Sequence, residues 1–301
     1  MMLDCAIIGG GPAGLNAALV LGRARRNILL FDNGKPRNAV TQESHGFITR
    51  DGVSPAKFRE LAHEDLNKYP SIKIDNVEIV EIKRSSGTAF HLTTREGATY
   101  TAKKIILTTG LKETLPTVPN IQDYYGKSLF SCPYCDGWEL RDKPLIVISE
   151  NKNAVHMAKT LSQWSKDLIV CTNGHSVIPE AEAQLLKKHG IRIIEESINQ
   201  LHGQNGNLEK VSFADGTKIE RSGGIVTTEL AQSHSFIDSL NYDCTQNGGI
   251  LVDELGRTSV EGVYAAGEAS NSGPSQLIIA AAHGSRAAAG VNSDLTMEVF
   301  Q

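Results

Sequence analysis

Aromatic residues are scarce in this chain, cysteines are few, and charge of neither sign is in large excess. Each shortage excludes something. Phe, Trp and Tyr make up 6% of 301 residues, which leaves no platform for stacking bases. The formal net charge is -4, so there is no basic field for nucleic acid or anionic lipid. Five scattered cysteines do not make a secreted disulfide scaffold. No uninterrupted apolar run reaches the ~20 residues a membrane-spanning helix needs. The opening "MMLDCAIIGGGPAGLNAALVLG" is apolar but lacks a basic lead, and Asp4 and a glycine cluster interrupt it; it does not read as a signal peptide. A cytoplasmic protein is expected, with no nucleic-acid or membrane partner. In a reducing compartment a Cys-x-x-Cys points to redox or metal chemistry rather than to a structural bridge.

What is present is the composition of a globular protein, 40% hydrophobic and 21% charged. At roughly 100–200 residues per domain the length suggests two domains, or one large one. "LDCAIIGG", a glycine-rich turn, a helical stretch and "NILLFD" make a strand–helix–strand opening. "GVSPAKFRELAHEDLNKYP" reads as an amphipathic helix. Residues 72–106 read as several antiparallel strands, interrupted by "RSSGTA" and "TREGAT". After the proline-rich "LKETLPTVPN" the plan repeats. "KPLIVIS" is a strand. "NKNAVHMAKTLSQWS" is a helix with Ala154, Met157, Ala158, Leu161 and Trp164 on its apolar face. Then come the strand "KDLIVCTN", the helix "IPEAEAQLLKKHG" closed by Gly190, and the strand "IRIIEES". The chain ends in an alanine-rich helix. The predicted class is α/β with two Rossmann-like units; the family resemblance set out below implies three-layer ββα/αβα domains, the second inserted into the first. The boundaries fall at 1–111 and 235–301 for the first domain and 112–234 for the second.

Gly9, Gly11 and Gly14 form G-x-G-x-x-G between a strand and a helix, the context in which this pattern binds a dinucleotide. The first glycine permits the tight turn. The second lets the backbone approach a pyrophosphate, and the third lets helix and strand pack closely. Pro12 and Ala13 fill the rest of the fingerprint. Asp32 ends the second strand, about where an acidic residue should meet a ribose hydroxyl. Asn33 and Lys35 follow it and join the candidates. The fingerprint alone does not separate FAD from NAD.

The second pattern is "SCPYCDGWEL", with Cys132 and Cys135 two residues apart and Asp136 directly after. Cysteines so spaced at a helix start reach each other, and such motifs lower a thiol pKa. Zinc would need two further ligands at suitable spacing. Cys171 and Cys244 are isolated and no second C-x-x-C exists, so no metal site is expected. Cys5, Cys171 and Cys244 are expected in strands or packed positions as small apolar residues.

"TSVEGVYAAGEAS" followed by "SQLIIAAAHGSRAA", with the "TTG" of residues 108–110 and C-x-x-C-D, resembles the low-molecular-weight thioredoxin reductases over nearly the whole chain. The resemblance implies FAD, a homodimer and a rotation between domains about linkers near 111–119 and 231–236. It adds Thr109, Gly110, Gly267, Glu268, Gln276 and Leu277 to the cofactor residues, and His45 as a residue lining the flavin site. Glu268 stands where the family has Asp, and Ser275 where it has Arg. The resemblance also makes Cys132–Cys135 the redox disulfide, with Cys135 toward the flavin, Cys132 toward the substrate and Asp136 managing a proton.

The family binds NADPH through G-G-G-x-[ST]-A in the second domain. Here Ser149, Glu150 and Asn151 replace the three glycines, and "CTNGHS" holds no arginine for the 2′-phosphate. Electron supply through an ordinary NADPH site is therefore not expected. The expected function is FAD-dependent dithiol–disulfide exchange with a thioredoxin-like or small disulfide substrate and a separate donor such as ferredoxin. "CPYCDGWELRD" and "HGFITRDG" also resemble a branch containing dithiol oxidases for gliotoxin- and holomycin-type antibiotics, so an oxygen-dependent dithiol oxidase is the alternative. A flavin-binding sensor without turnover is the third reading.

Overall fold

The computed structural model describes residues 2–85, 89–233, 239–270 and 275–300. The backbone divides into two compact units. One comprises Met1–Ala39, Phe47–Lys112 and Ala231–Gln301. The other comprises Val40–Gly46 and Glu113–Leu230. The divisions at Lys112/Glu113 and Leu230/Ala231 lie close to the expected 111/112 and 234/235. The new feature is Val40–Gly46, which belongs with the second unit although it lies far upstream. Residues 234–236 of the expected 231–236 linker lie outside the described residues.

In the first unit, β1 (Leu3–Ile8), β2 (Ile28–Phe31), β3 (Ile72–Asp75), β4 (Ile79–Arg84), β5 (Phe90–Thr94) and β6 (Thr99–Leu107) form a sheet of order β3-β2-β1-β6-β5-β4. The strand Val263–Ala265 pairs parallel with the C-terminal half of β6. β3 corrects the expectation for 72–106: it runs parallel to β2. The helix α2 (Pro55–Leu66) carries the chain back from β2 to β3, and a crossover of that kind makes neighbouring strands parallel. Only β4, β5 and β6 form the antiparallel meander. Alternation along β1 supplies both cores. Cys5 and Ile7 pack with the helix α1 (Pro12–Arg23), while Ala6 and Ile8 pack with the meander face.

The C-terminal helix, Leu277–Met297, lies against α1, and small residues such as Ala281, Gly284, Ala287 and Ala288 line its buried face. A Cβ on Gly284 would sit 2.0 Å from the Ala13 carbonyl oxygen. Asn16 Nδ2 donates to the Ala281 carbonyl at 2.9 Å across the same seam.

The second unit repeats the plan. Arg192–Ile194, Leu168–Cys171, Leu145–Ile148, Gly223–Val226 and Leu129–Phe130 form an all-parallel five-stranded sheet in that order. The helices α3 (Pro133–Leu140), α4 (Asn153–Leu161) and α5 (Glu180–Lys188) share one core with it. The three-stranded antiparallel sheet of Ile198–Gln204, Asn207–Phe213 and Lys218–Glu220 shares the other. Trp164 lies beyond the end of α4 and so does not extend its apolar face. It packs edge-on to Tyr134 and so close to Gly137 that a Cβ there would lie 2.8 Å from the indole.

Candidate active site

Three turns of the first unit come together. Gly9 has φ +112, and a Cβ on it would lie 2.2 Å from the Thr108 carbonyl oxygen. Gly14 permits closest approach of helix and strand: its Cβ would lie 1.9 Å from the Gly9 oxygen. Thr108 Oγ1 donates to the carbonyls of Ile8 and Gly9, tying the ends of β1 and β6. The turn at Gly267, with φ +70, lies against the start of α1, where its Cβ would be 2.9 Å from that of Ala13. Glu268 follows it and borders Gly110.

This arrangement fits FAD. Gly11 is the N-cap of α1, no side chain caps the helix, and nothing lies within 4 Å of a Cβ placed on Gly11. Free N–H groups and open space at a helix N-terminus are what a pyrophosphate requires. Pro12 begins α1 without loss, since a first-turn N–H has no helical partner. Thr109 Oγ1 and Arg59 Nε are buried without hydrogen-bond partners, and both border the candidate residues. Gln276 caps the C-terminal helix and Leu277 opens it. Asn33 and Lys35 sit in the turn after β2, where the Lys35 N–H donates to Asn33 Oδ1 at 3.1 Å.

Two arginines escaped the sequence reading. Arg59 on α2 donates to Asp32 Oδ2, and the Gly34 N–H donates to Asp32 Oδ1 at 3.2 Å. Arg37 pairs with Glu268. Neither pairing has a local sequence signal, because the partners come from distant segments.

In the second unit Cys132 and Cys135 are joined as a disulfide, their Cα atoms 5.3 Å apart. Cys132 is the N-cap of α3, and its carbonyl accepts from the N–H groups of Cys135 and Asp136, each at 3.2 Å. The positive end of the helix favours a thiolate at Cys132 once the bond opens. The Asp136 carboxyl is pushed up to about 7, first by burial and then by the Glu139 charge, with His45 opposing. His45 belongs to this unit, with its Nε2 3.5 Å from Glu43 and 3.8 Å from Glu139. Burial raises the Cys171 thiol to about 12 and raises Cys5 as well, so both are inert packing groups. Cys244 departs from the expectation: it is exposed. Among the described residues no group of three or more His, Cys, Asp or Glu could hold a metal, and no helix is long and apolar enough to cross a membrane.

The turn after Leu145–Ile148 contrasts with its counterpart after β1. Ser149 is fully buried; it receives a hydrogen bond from Thr227 Oγ1 at 2.6 Å and donates to the Asn151 carbonyl at 3.2 Å. Asn151 Oδ1 accepts the Asn153 N–H at 3.0 Å, at the very start of α4. Glu150 accepts from Asn173 Nδ2 at 2.6 Å. Asn173 in turn accepts the Ile198 N–H at 2.8 Å. Side chains of this turn thus hydrogen-bond within the unit, where the turn after β1 presents glycine.

The family model for pyridine nucleotide-disulphide oxidoreductases matches residues 3–284. The chain belongs to that family. A protein assigned as a thioredoxin reductase in Arthroderma benhamiae is 35% identical over 98% of this chain and 81% of its own. The solved structure of a protein assigned as the thioredoxin reductase TrxB of Bacillus anthracis is 48% identical with a TM-score of 0.95, covering 98% of this chain and 99% of that one. The structure of HlmI is 31% identical with a TM-score of 0.94, covering 99% and 94%. The chain is a flavin-dependent disulfide oxidoreductase of the thioredoxin-reductase-like kind, with the two Rossmann-like domains expected of it.

Proposed function

We propose that the protein exchanges electrons between FAD, the Cys132–Cys135 pair and a thioredoxin-like or small disulfide, without an ordinary NADPH site. The observation that carries this is the contrast between the two turns. One is open, capped by glycine and bordered by unpartnered buried polar atoms; the other is filled by Ser149, Glu150 and Asn151. A carboxylate at Glu150 would also repel a dianionic phosphate.

When bound, FAD supplies a two-electron carrier for the cysteine pair. The rest of the chemistry belongs to the chain. With the pair reduced, the Cys132 thiolate attacks the substrate disulfide, forms a mixed disulfide and expels one substrate thiolate. The Cys135 thiolate then attacks Cys132 Sγ, re-forming Cys132–Cys135 and expelling the second. The two protons given up by the enzyme thiols pass to the two substrate thiolates. Asp136, poised to hold or release a proton near neutrality, manages one of those transfers. The reading includes a separate electron donor such as ferredoxin, a homodimer and a cytoplasmic setting.

The test is anaerobic mixing of the yellow protein with NADPH, NADH or dithiothreitol while the flavin absorbance is followed. The nicotinamides are expected to leave the flavin oxidised and the dithiol to bleach it. Rapid bleaching by NADPH would overturn the reading of the closed turn. Oxygen-dependent dithiol oxidation draws on the same turn; rapid return of the colour in air with catalytic dithiol turnover would favour it.

A further inference from the structure

The upstream segment Val40–Gly46 joins the unit that carries the redox disulfide, and it brings His45 to the helix of the cysteines. Cys132, Cys135, Asp136 and Glu139 follow one another at i, i+3, i+4 and i+7 along α3 and its N-cap. That spacing puts all four on one stripe of the helix. His45 reaches this stripe from outside, with its imidazole set between Glu43 on its own segment and Glu139 on α3. Its side chain is 17% exposed, while those of Glu43 and Glu139 are 59% and 40% exposed. Glu139 therefore connects the histidine to the row that ends at the disulfide.

Resting on the exchange reading above, we infer that His45 is a positioning residue, which together with Glu139 tunes Asp136 for proton transfer at the Cys132–Cys135 pair. Every exchange moves protons. When a dithiol reduces the pair, one substrate thiolate attacks an enzyme sulfur, the Cys132–Cys135 bond breaks and one cysteine leaves as thiolate. The second substrate thiol loses its proton, attacks the mixed disulfide and releases the other cysteine. Two protons leave the substrate and two thiolates arise on the enzyme. Asp136 in its ionised form accepts one of those protons. Its carboxyl titrates at about 7, raised by burial and by Glu139, while the His45 charge acts to lower it. Among the described residues, the charged groups that act on this carboxyl are Glu139 on its own helix and His45, itself 3.5 Å from Glu43.

Removing either neighbour moves Asp136, and the two move it in opposite directions. The experiment measures the anaerobic rate at which dithiothreitol opens Cys132–Cys135, scored by alkylation of the freed thiols and divided by the dithiothreitol thiolate present. The parent should show a limb rising with pH and centred near about 7. His45→Gln should move that limb to higher pH and Glu139→Gln should move it to lower pH, each by about one pH unit, the scale expected of a nearby charge. Asp136→Asn should abolish the limb. An unchanged circular dichroism spectrum and melting temperature show that each variant is folded. A merely structural role would slow both variants without shifting their limbs apart. Limbs that stay in place, or move together, overturn the assignment of His45, as does a parent without a limb. The exchange reading fails separately: it falls if Cys132→Ser and Cys135→Ser still turn over.

Discussion

Cys135→Ser should purify yellow, attack its substrate and stop there. With Cys135 replaced, the Cys132 thiolate still opens a disulfide, but nothing remains to expel the second substrate sulfur. The mixed disulfide accumulates, and turnover falls to background. Cys132→Ser should lose turnover without trapping substrate. The position of Cys132 at the N-cap of α3, ahead of the helix N–H groups, is the physical reason for this asymmetry. Both variants should retain FAD, because the cysteines lie in the unit that does not hold the fingerprint turn. Non-reducing mass spectrometry of the protein mixed with a thioredoxin-like disulfide reads the result directly. Undiminished turnover in either variant would end the redox assignment, whereas an adduct in Cys132→Ser rather than Cys135→Ser would reverse the two roles.

The second large effect separates two glycines of one motif. On Gly14 a Cβ would meet the Gly9 oxygen at 1.9 Å and Thr108 Oγ1 at 2.7 Å, and the nearer of these is backbone that cannot swing aside. Gly14→Ala should lower the melting temperature and lose the flavin together, at a cost of about 3 kcal/mol in stability, the scale of overpacking a tight contact. On Gly11 a Cβ meets nothing within 4 Å. Gly11→Ala should leave the apoprotein as stable as the parent and still bind FAD poorly, because the methyl group occupies the space through which a pyrophosphate approaches. Differential scanning of the apoproteins, followed by titration with FAD, distinguishes the two. Equal flavin retention in Gly11→Ala would mean that the open space above the turn is not where the pyrophosphate lies.

Much of this was legible in order along the chain. The glycine spacing, the repeated strand–helix–strand units and the C-x-x-C at a helix start are local patterns, and local patterns fix local backbone. β3 was misjudged because four residues of strand carry no sign of their partner's direction; the preceding helix decides it. Arg37 with Glu268, Arg59 with Asp32 and Asn173 with Glu150 could not be read, since each pair joins side chains from separate segments. The approach of His45 to Glu139 is of the same kind, joining two segments far apart in the chain. The substitutions at Ser149, Glu150 and Asn151 were visible as a loss of glycine. That they hydrogen-bond to the Asn151 carbonyl, the Asn153 N–H and Asn173 was not.

The closed turn also divides the molecule's thermodynamic dependence on the cell. A ligand stabilises what it binds by mass action, in proportion to the logarithm of its excess over its dissociation constant. In the first unit Gly11 leaves room for such a contribution, so the folded population of that unit follows the flavin supply. In the second, under the function proposed above, the hydrogen bonds of Thr227, Asn151 and Asn173 stand where those of a nucleotide would. On that reading the unit carries its own substitute for a nucleotide, and its melting temperature should stay where it is when NADPH or NADH is added.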